Sequence, residues 1–285
     1  MSLDIQSLYS VKDKVVLVTG GAKGIGRMIS EAFVVNGARV YIASRDAAAC
    51  EAACAELNAL PGVRPGSAVA LPADLASLAE CRRLAAELSA REKMLHVLVN
   101  NSGATWGEAY DSYPDSAWTK LVTLNLQRVF TLTQLLTPLL EAAGRASGTV
   151  GGGDAEGGTA AAVVADPGRI IHVGSIDGLR VPQLPTFAYS ATKAGLHHLS
   201  RHLAVELGPR GVTSNTLACG PFPSKMMAAT LRDFGDAIRA ANPLGRVGTP
   251  ADAAGACLFL ASRAGAFVNG ATIALDGGLS LVSKI

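Results

Sequence analysis

Five strand-forming residues, Val15-Val16-Leu17-Val18-Thr19, run without a break into Gly20-Gly21-Ala22-Lys23-Gly24-Ile25-Gly26, after which apolar residues recur at helical spacing through Val35. An uninterrupted apolar run reads as a strand covered on both faces, and few architectures bury a strand that way. The glycines between strand and helix matter as much as the strand. Without a Cβ they let the backbone N–H groups at a helix N-terminus approach an anion, so the turn predicts a pyrophosphate cradle. The spacing is G-x-x-x-G-x-G rather than G-x-G-x-x-G. Gly37 follows as the residue that closes the helix.

The same alternation continues down the chain. Strands are expected at 38–43, 67–71, 97–99, 169–173, 213–218 and 272–275, with helices over 47–57, 77–90 and 115–141, from Tyr189 to about Leu207, and from the cap-then-proline pair Thr249-Pro250. This pattern predicts an α/β fold, a single-domain doubly wound parallel sheet of the Rossmann type with helices on both faces, spanning residues 1–285. Within it, residues 143–168 are rich in glycine and nearly free of large side chains. They bury too little surface to offset their ordering entropy, and are expected to form a mobile surface insertion remote from the chemistry.

In such sheets ligands bind at the carboxyl ends of the strands, and the polar clusters of this chain fall there. The second strand ends in Ser44-Arg45-Asp46, the third in Asp74, the fourth in Asn100-Asn101-Ser102-Gly103 and the fifth in Gly174-Ser175. Residues just after the second strand meet an adenine ribose. Ser44, Arg45 and the nearby Lys23 favour a 2′-phosphate and hence NADP(H); the competing reading has Asp46 on a ribose hydroxyl and Arg45 in solvent. Tyr189 and Lys193 stand at i and i+4, so the ammonium can lie under the phenol and is expected to lower its pKa. Ser175 can present its hydroxyl to the same pocket.

Other features exclude more than they propose. The hydrophobic fraction is 49% and the formal charge +2, with no apolar run long enough for a membrane span and no basic excess for nucleic acid or an anionic surface. The five cysteines suit a reducing compartment, with Cys50 and Cys54 as helix-packing residues. No signal-peptide order is present, so a cytoplasmic location is expected; the alternative, a peroxisomal address, rests on Ser283-Lys284-Ile285. His197, His198 and His202 have no accompanying ligand pattern, and no metal is expected.

Thr19-Gly20 through Gly26, Asp74, Asn100 to Gly103, Asn125, Ser175, Tyr189 with Lys193, Asn215 with Gly220, and Asp276-Gly277-Gly278 occur here in the order that characterises the short-chain dehydrogenase/reductase family, which the chain closely resembles outside its insertion. Arg45-Asp46, Pro72-Ala73-Asp74-Leu75, Ser112-Tyr113-Pro114 and Phe222-Pro223-Ser224 resemble the 3-oxoacyl reductases of the rhamnolipid-pathway type. The resemblance implies Tyr189 as acid/base, Ser175 as partner of the substrate oxygen, Lys193 on the nicotinamide ribose, and Asn125 holding a water that relays protons to Lys193. It also implies cofactor contacts from Gly20, Lys23, Gly24, Ile25, Gly26, Ser44, Arg45, Asp74, Leu75, Asn101, Gly103, Tyr189, Lys193, Gly220, Phe222 and Ser224. The family's usual Asn-Asn-Ala-Gly reads Asn-Asn-Ser102-Gly here, and its usual Pro-Gly reads Cys219-Gly220.

The expected activity is NADPH-dependent reduction of a ketone, a 3-oxoacyl thioester first and an aromatic or polyketide ketone second. The rival from another class is an NADP(H)-binding redox sensor or scaffold. Trp106, Leu184, Phe187, Phe222, Met226 and Met227 are candidates for an apolar substrate pocket. Arg128, Arg201 and Arg210 are candidates for docking a carrier-linked acyl group. The resemblance further implies a homo-oligomer, tetramer or dimer, built on the helices bearing Asn125 and Tyr189.

Overall fold

The computed structural model describes residues 3–64, 66–150 and 163–282. Its strands are β1 Val15–Thr19, β2 Arg39–Ala43, β3 Ala68–Ala70, β4 Val97–Asn100, β5 Thr149–Val150, β6 Val163–Val164, β7 Gly168–Val173, β8 Val212–Cys219 and β9 Thr272–Leu275. Its α-helices are α1 Ile5–Tyr9, α2 Gly24–Val35, α3 Ala47–Asn58, α4 Leu78–Arg91, α5 Asp115–Val122, α6 Arg128–Ala146, α7 Phe187–Leu207, α8 Ala228–Ala241 and α9 Pro250–Ala261. Seven strands form one parallel sheet in the order β3-β2-β1-β4-β7-β8-β9. The order reverses between β1 and β4, which opens a crevice beyond their carboxyl ends.

The strands are apolar on both faces because both faces are covered. Val16 and Val18 of β1 pack with Ile29 and Phe33 of α2, Leu57 of α3 and Leu260 of α9. Leu17, pointing the other way, packs with Leu84 and Leu88 of α4, Leu136 of α6 and Leu203 of α7. Each such side chain contributes roughly 1.5–3 kcal/mol when fully buried, and the two-residue alternation of β1 divides it between both layers. Cys50 and Cys54 are buried in the first layer. Gly37, at φ +84°, follows the end of α2.

The helix expected over 115–141 is longer and is interrupted. A wide π-type turn, Thr123–Gln127, separates α5 from α6. Its cause is tertiary: Asn125 turns inward to hydrogen-bond the loop after β4 and α7.

At the amino edge of the sheet, Lys14 donates to Asp166 at 2.7 Å and to the Ala261 carbonyl at 2.9 Å. Arg169, 1% exposed, donates to Asp166 at 2.6 Å and to the carbonyls of Leu260 and Ser262, both at 3.0 Å. Two cations thus cap the end of α9, where carbonyls lack helical partners, and share one carboxylate. Asp166 follows the antiparallel pair β5–β6, which flanks the glycine-rich stretch at the edge opposite the carboxyl ends. Of the expected 143–168 insertion, residues 151–162 lie outside the described residues, as do Ser283, Lys284 and Ile285. Among the described residues no helix is long and apolar enough to cross a membrane.

Candidate active site

The cleft at the carboxyl ends of the strands has a volume of about 560 Å³ and runs from the turn after β2 to α7. Its floor is the glycine turn. Gly20 and Gly24 adopt φ of +65° and +56°, values that side chains resist. Gly26 serves differently, because a Cβ there would stand 2.2 Å from the Gly20 carbonyl oxygen. Gly26 therefore seats α2 under the turn, whereas Gly20, Gly24, Lys23 and Ile25 line the cleft.

Asn101 lines the cleft and also braces the turn from beneath. Its amide donates to the carbonyls of Thr19 at 2.9 Å and Gly20 at 3.2 Å, tying the end of β4 to the turn after β1. The Thr19 hydroxyl accepts from the backbone N–H groups of Asn101 and Ser102 at 2.9 and 3.0 Å. These bonds hold Gly103 in the cleft wall. Asn125 continues the scaffold: its Oδ1 accepts from the Ala104 N–H and its Nδ2 donates to the Ala104 carbonyl, both at 2.9 Å. The same Nδ2 donates to Thr192 Oγ1 at 3.2 Å, which couples this loop to α7. The Asn125 side chain is thereby occupied, and a water relay through this residue would have to use the opened backbone of the π turn.

Tyr189 and Lys193 lie one turn apart near the start of α7, with the Lys193 ammonium 5.7 Å from the Tyr189 ring centre. Lys193 Nζ donates to the Val173 carbonyl at 2.7 Å, and burial lowers its pKa to about 8. Tyr189 differs from expectation. Burial raises its pKa to about 12, with a hydrogen bond from the Ser175 side acting in the opposite direction. Lys193 is directed at the end of β7 and at the ring, so in the protein alone desolvation of the phenolate outweighs its charge. Ser175, just past β7, accepts from the Asp177 N–H at 3.1 Å, leaving its own proton available to donate.

The opposite end of the cleft is open to solvent. Ser44, Arg45, Asp74 and Leu75 line it, the carboxylate of Asp74 accepting from the Ala76 N–H at 3.1 Å. Asp46 caps α3 through the Ala49 N–H at 3.0 Å and pairs with Lys23 at 3.0 Å. Both jobs stabilise the carboxylate, and its pKa is lowered, first by the Ala49 bond. An Asp46 engaged in this way is poorly disposed to hold a ribose hydroxyl, which weakens the competing reading of the Ser44-Arg45-Asp46 cluster.

Beyond β8, Gly220, Phe222 and Ser224 line the cleft with Met226 and Met227. Phe222 is buried against Gly248, where a Cβ would fall 2.4 Å from its ring. Trp106, Leu184 and Phe187 are not in the cleft wall; Phe187 instead packs edge-on against Tyr113 at 5.4 Å and Tyr110 at 5.9 Å. Cys219 lines the cleft and is buried, with its thiol pushed up to about 12 by desolvation. Sequence reasoning passed over Lys120 and Lys225, which also face the cleft. Lys225 adjoins Ser224 in a loop and offered only that adjacency as a signal.

Three other expectations are corrected or sharpened. Arg210 ion-pairs with Glu141 at 2.5 Å just before β8 begins, at the edge of the sheet opposite the cleft, so it cannot dock a carrier there. Arg128 donates to the Ala76 carbonyl at 3.3 Å and stays near the cleft mouth, while Arg201 donates toward His198. Neither nitrogen of buried His197 has a partner, and its pKa falls to about 4 through burial; His198 and His202 stack edge-on at 5.4 Å. Among the described residues no group of three His, Cys, Asp or Glu side chains could hold a metal.

Residues 14–150 match the family described as short chain dehydrogenase, and residues 158–280 match that described as enoyl-(acyl carrier protein) reductase. The chain is 39% identical to the rhamnolipids biosynthesis 3-oxoacyl-(acyl-carrier-protein) reductase of Pseudomonas aeruginosa, over 96% of this chain and 98% of that one. It is 32% identical to the galactitol 2-dehydrogenase (L-tagatose-forming) of Cereibacter sphaeroides, over 98% and 100%. Among solved structures, the Pseudomonas aeruginosa RhlG/NADP active-site complex superposes with a TM-score of 0.84 at 39% identity, covering 96% of this chain and 99% of that one.

Proposed function

We propose the function of this chain from one premise: it belongs to the short-chain dehydrogenase/reductase family. It is an NADP(H)-dependent oxidoreductase that interconverts a ketone and a secondary alcohol. The observation that carries the reading is a half-buried Tyr189 over a buried Lys193, with Ser175 beside them, in the same cleft as the glycine turn. The residues fit the cofactor. A Cβ on Gly20 would meet Asn101 and one on Gly24 would meet Ser224, so the turn is shaped for backbone approach, and Lys23 and Arg45 supply charge for a 2′-phosphate. When bound, the nicotinamide supplies or accepts the hydride.

The protein's own residues handle the proton. With its pKa near 12, Tyr189 is protonated at neutral pH and gives its proton to the carbonyl oxygen during reduction. Ser175, its lone pair engaged by Asp177, directs its O–H at the same developing charge. Lys193 in its charged form stabilises the phenolate left behind. Asn125 is a positioning residue that fixes the Gly103–Ala104 wall against α7.

For substrate, the 39% identity to a 3-oxoacyl reductase and the apolar wall of Phe222, Met226 and Met227 favour a 3-oxoacyl thioester. The five cysteines are free, in keeping with work in the reducing cytoplasm. Exposed Trp118, Val122 and Phe130 on and beside α5 and α6 favour a homo-oligomer, dimer or tetramer, packed on those helices.

The test is NADPH oxidation against a 3-oxoacyl thioester, an aromatic diketone and a simple aryl ketone, with the wild type and Tyr189→Phe. Selective thioester turnover is expected, lost by at least ~10²-fold in the variant, since general acid catalysis supplies ~10²- to 10⁴-fold. NADPH binding should survive the substitution. Turnover within a factor of a few of wild type would remove Tyr189 from the mechanism. Tight NADPH binding with no ketone turned over would favour the sensor or scaffold instead.

A further inference from the structure

The segment after β8 crosses the cleft. A Cβ placed on Gly24 would lie 3.1 Å from Ser224 Cβ, so this strap runs directly over the glycine turn. Its next residue, Lys225, lines the same cleft as Lys23, Ser44 and Arg45, while Met226 and Met227 line it further along. Three cations therefore converge at the open end of the cleft, where Asp74 accepts from the Ala76 N–H and the carboxylate that faces Lys23 is Asp46. That carboxylate is already shared between the α3 cap and Lys23, although the charge of Lys225 reaches it. Neither Arg45 nor Lys225 has an ion-pair partner among the described residues. Lys23 is paired with Asp46, so Arg45 and Lys225 remain as two cations free to meet a dianionic phosphate monoester.

We propose that Lys225 binds the 2′-phosphate of the adenosine ribose together with Arg45 and Lys23, and thereby draws the 222–227 strap down over the cleft. Phosphate occupancy at the open end then controls the wall that the ketone meets, because Phe222, Met226 and Met227 belong to the same short segment. The inference rests on the NADP(H) reading above and adds a coupling to it. Cofactor choice is read twice, once in nucleotide affinity and once in the affinity for the ketone.

The experiment compares 2′,5′-ADP with 5′-AMP, which differ only in the 2′-phosphate, by calorimetry and by hydrogen exchange on the wild type, Lys225→Met and Lys225→Arg. The wild type should prefer 2′,5′-ADP. Lys225→Met should reduce that preference about tenfold, the scale of one charged hydrogen bond, leave 5′-AMP binding unchanged, and be rescued by Lys225→Arg. In the wild type 2′,5′-ADP, and not 5′-AMP, should slow exchange over 222–231; in Lys225→Met neither should. The ketone KM measured with NADPH should rise in Lys225→Met toward the value measured with NADH. Full preference retained in Lys225→Met, or equal slowing of the strap by 5′-AMP, overturns the proposal while leaving NADP(H) use intact. A wild type with no preference for 2′,5′-ADP overturns the cofactor reading itself.

Discussion

Among the described residues two lysines are buried, one at each edge of the sheet, and they differ in whether a carboxylate faces the ammonium. Lys14, at the amino edge, has the Asp166 carboxylate at 2.7 Å, which it shares with the fully buried Arg169. Lys193, at the carboxyl edge, has only the Val173 carbonyl at 2.7 Å. Burial lowers the pKa of both, but for Lys14 the nearby Asp166 works against that shift. A buried cation with a carboxylate is a structural fixture that must stay charged. One without a carboxylate can release its proton near the pH at which the protein works.

Removing each charge breaks the comparison in opposite ways. Lys193→Met should cost turnover at least ~10²-fold, as loss of a group acting on the proton donor does, with no loss of stability. Lys193 keeps its proton to about 10.5 in the unfolded chain and to about 8 in the folded one. Between those values the unfolded state binds more protons, so the contribution of Lys193 to stability rises with pH. The Met variant should accordingly be more stable than wild type below pH 8, and its advantage should be gone by about pH 10.5 in denaturant titrations. A constant difference across that range would mean that Lys193 is not desolvated as described.

Asp166→Asn does the reverse. It strands Lys14 and Arg169 without a carboxylate and should destabilise by about 3–5 kcal/mol, the cost of breaking a buried pair. The kcat at a temperature where the variant remains folded should be unchanged. The smallest effect sharpens the role of burial. Glu87→Gln removes a carboxylate that pairs with Arg83 at 2.9 Å and with Arg91 on the exposed side of α4, and should cost less than ~1 kcal/mol and nothing in high salt. Equal losses for Glu87→Gln and Asp166→Asn would show that burial is not what separates these pairs.

Much of the fold was legible because its signals are local. The apolar runs and the glycine turn placed the seven strands of the main sheet within a residue or two of where they stand, whereas β5 and β6 fall in the stretch read as an insertion; Thr249 caps α9 as expected, with Asp252 completing the box. Legibility declined where a residue's behaviour depends on distant elements. The interruption of the 115–141 helix arises because Asn125 answers to Ala104 and Thr192. Arg210 looked like any candidate arginine until the start of β8 put it on the far edge.

The sequence by itself determined the alternation of strand and helix, the glycine turn and the order of Ser175, Tyr189 and Lys193, since these rest on periodicity and on chemistry between near neighbours. Tertiary structure alone decided which charges found partners: Asp46 a helix cap and Lys23, Lys14 a carboxylate, Lys193 none, and Tyr189 a site dry enough to raise its pKa to about 12. Desolvation and ion pairing depend on what other segments bring within a few ångströms, and no spacing along the chain encodes that distance.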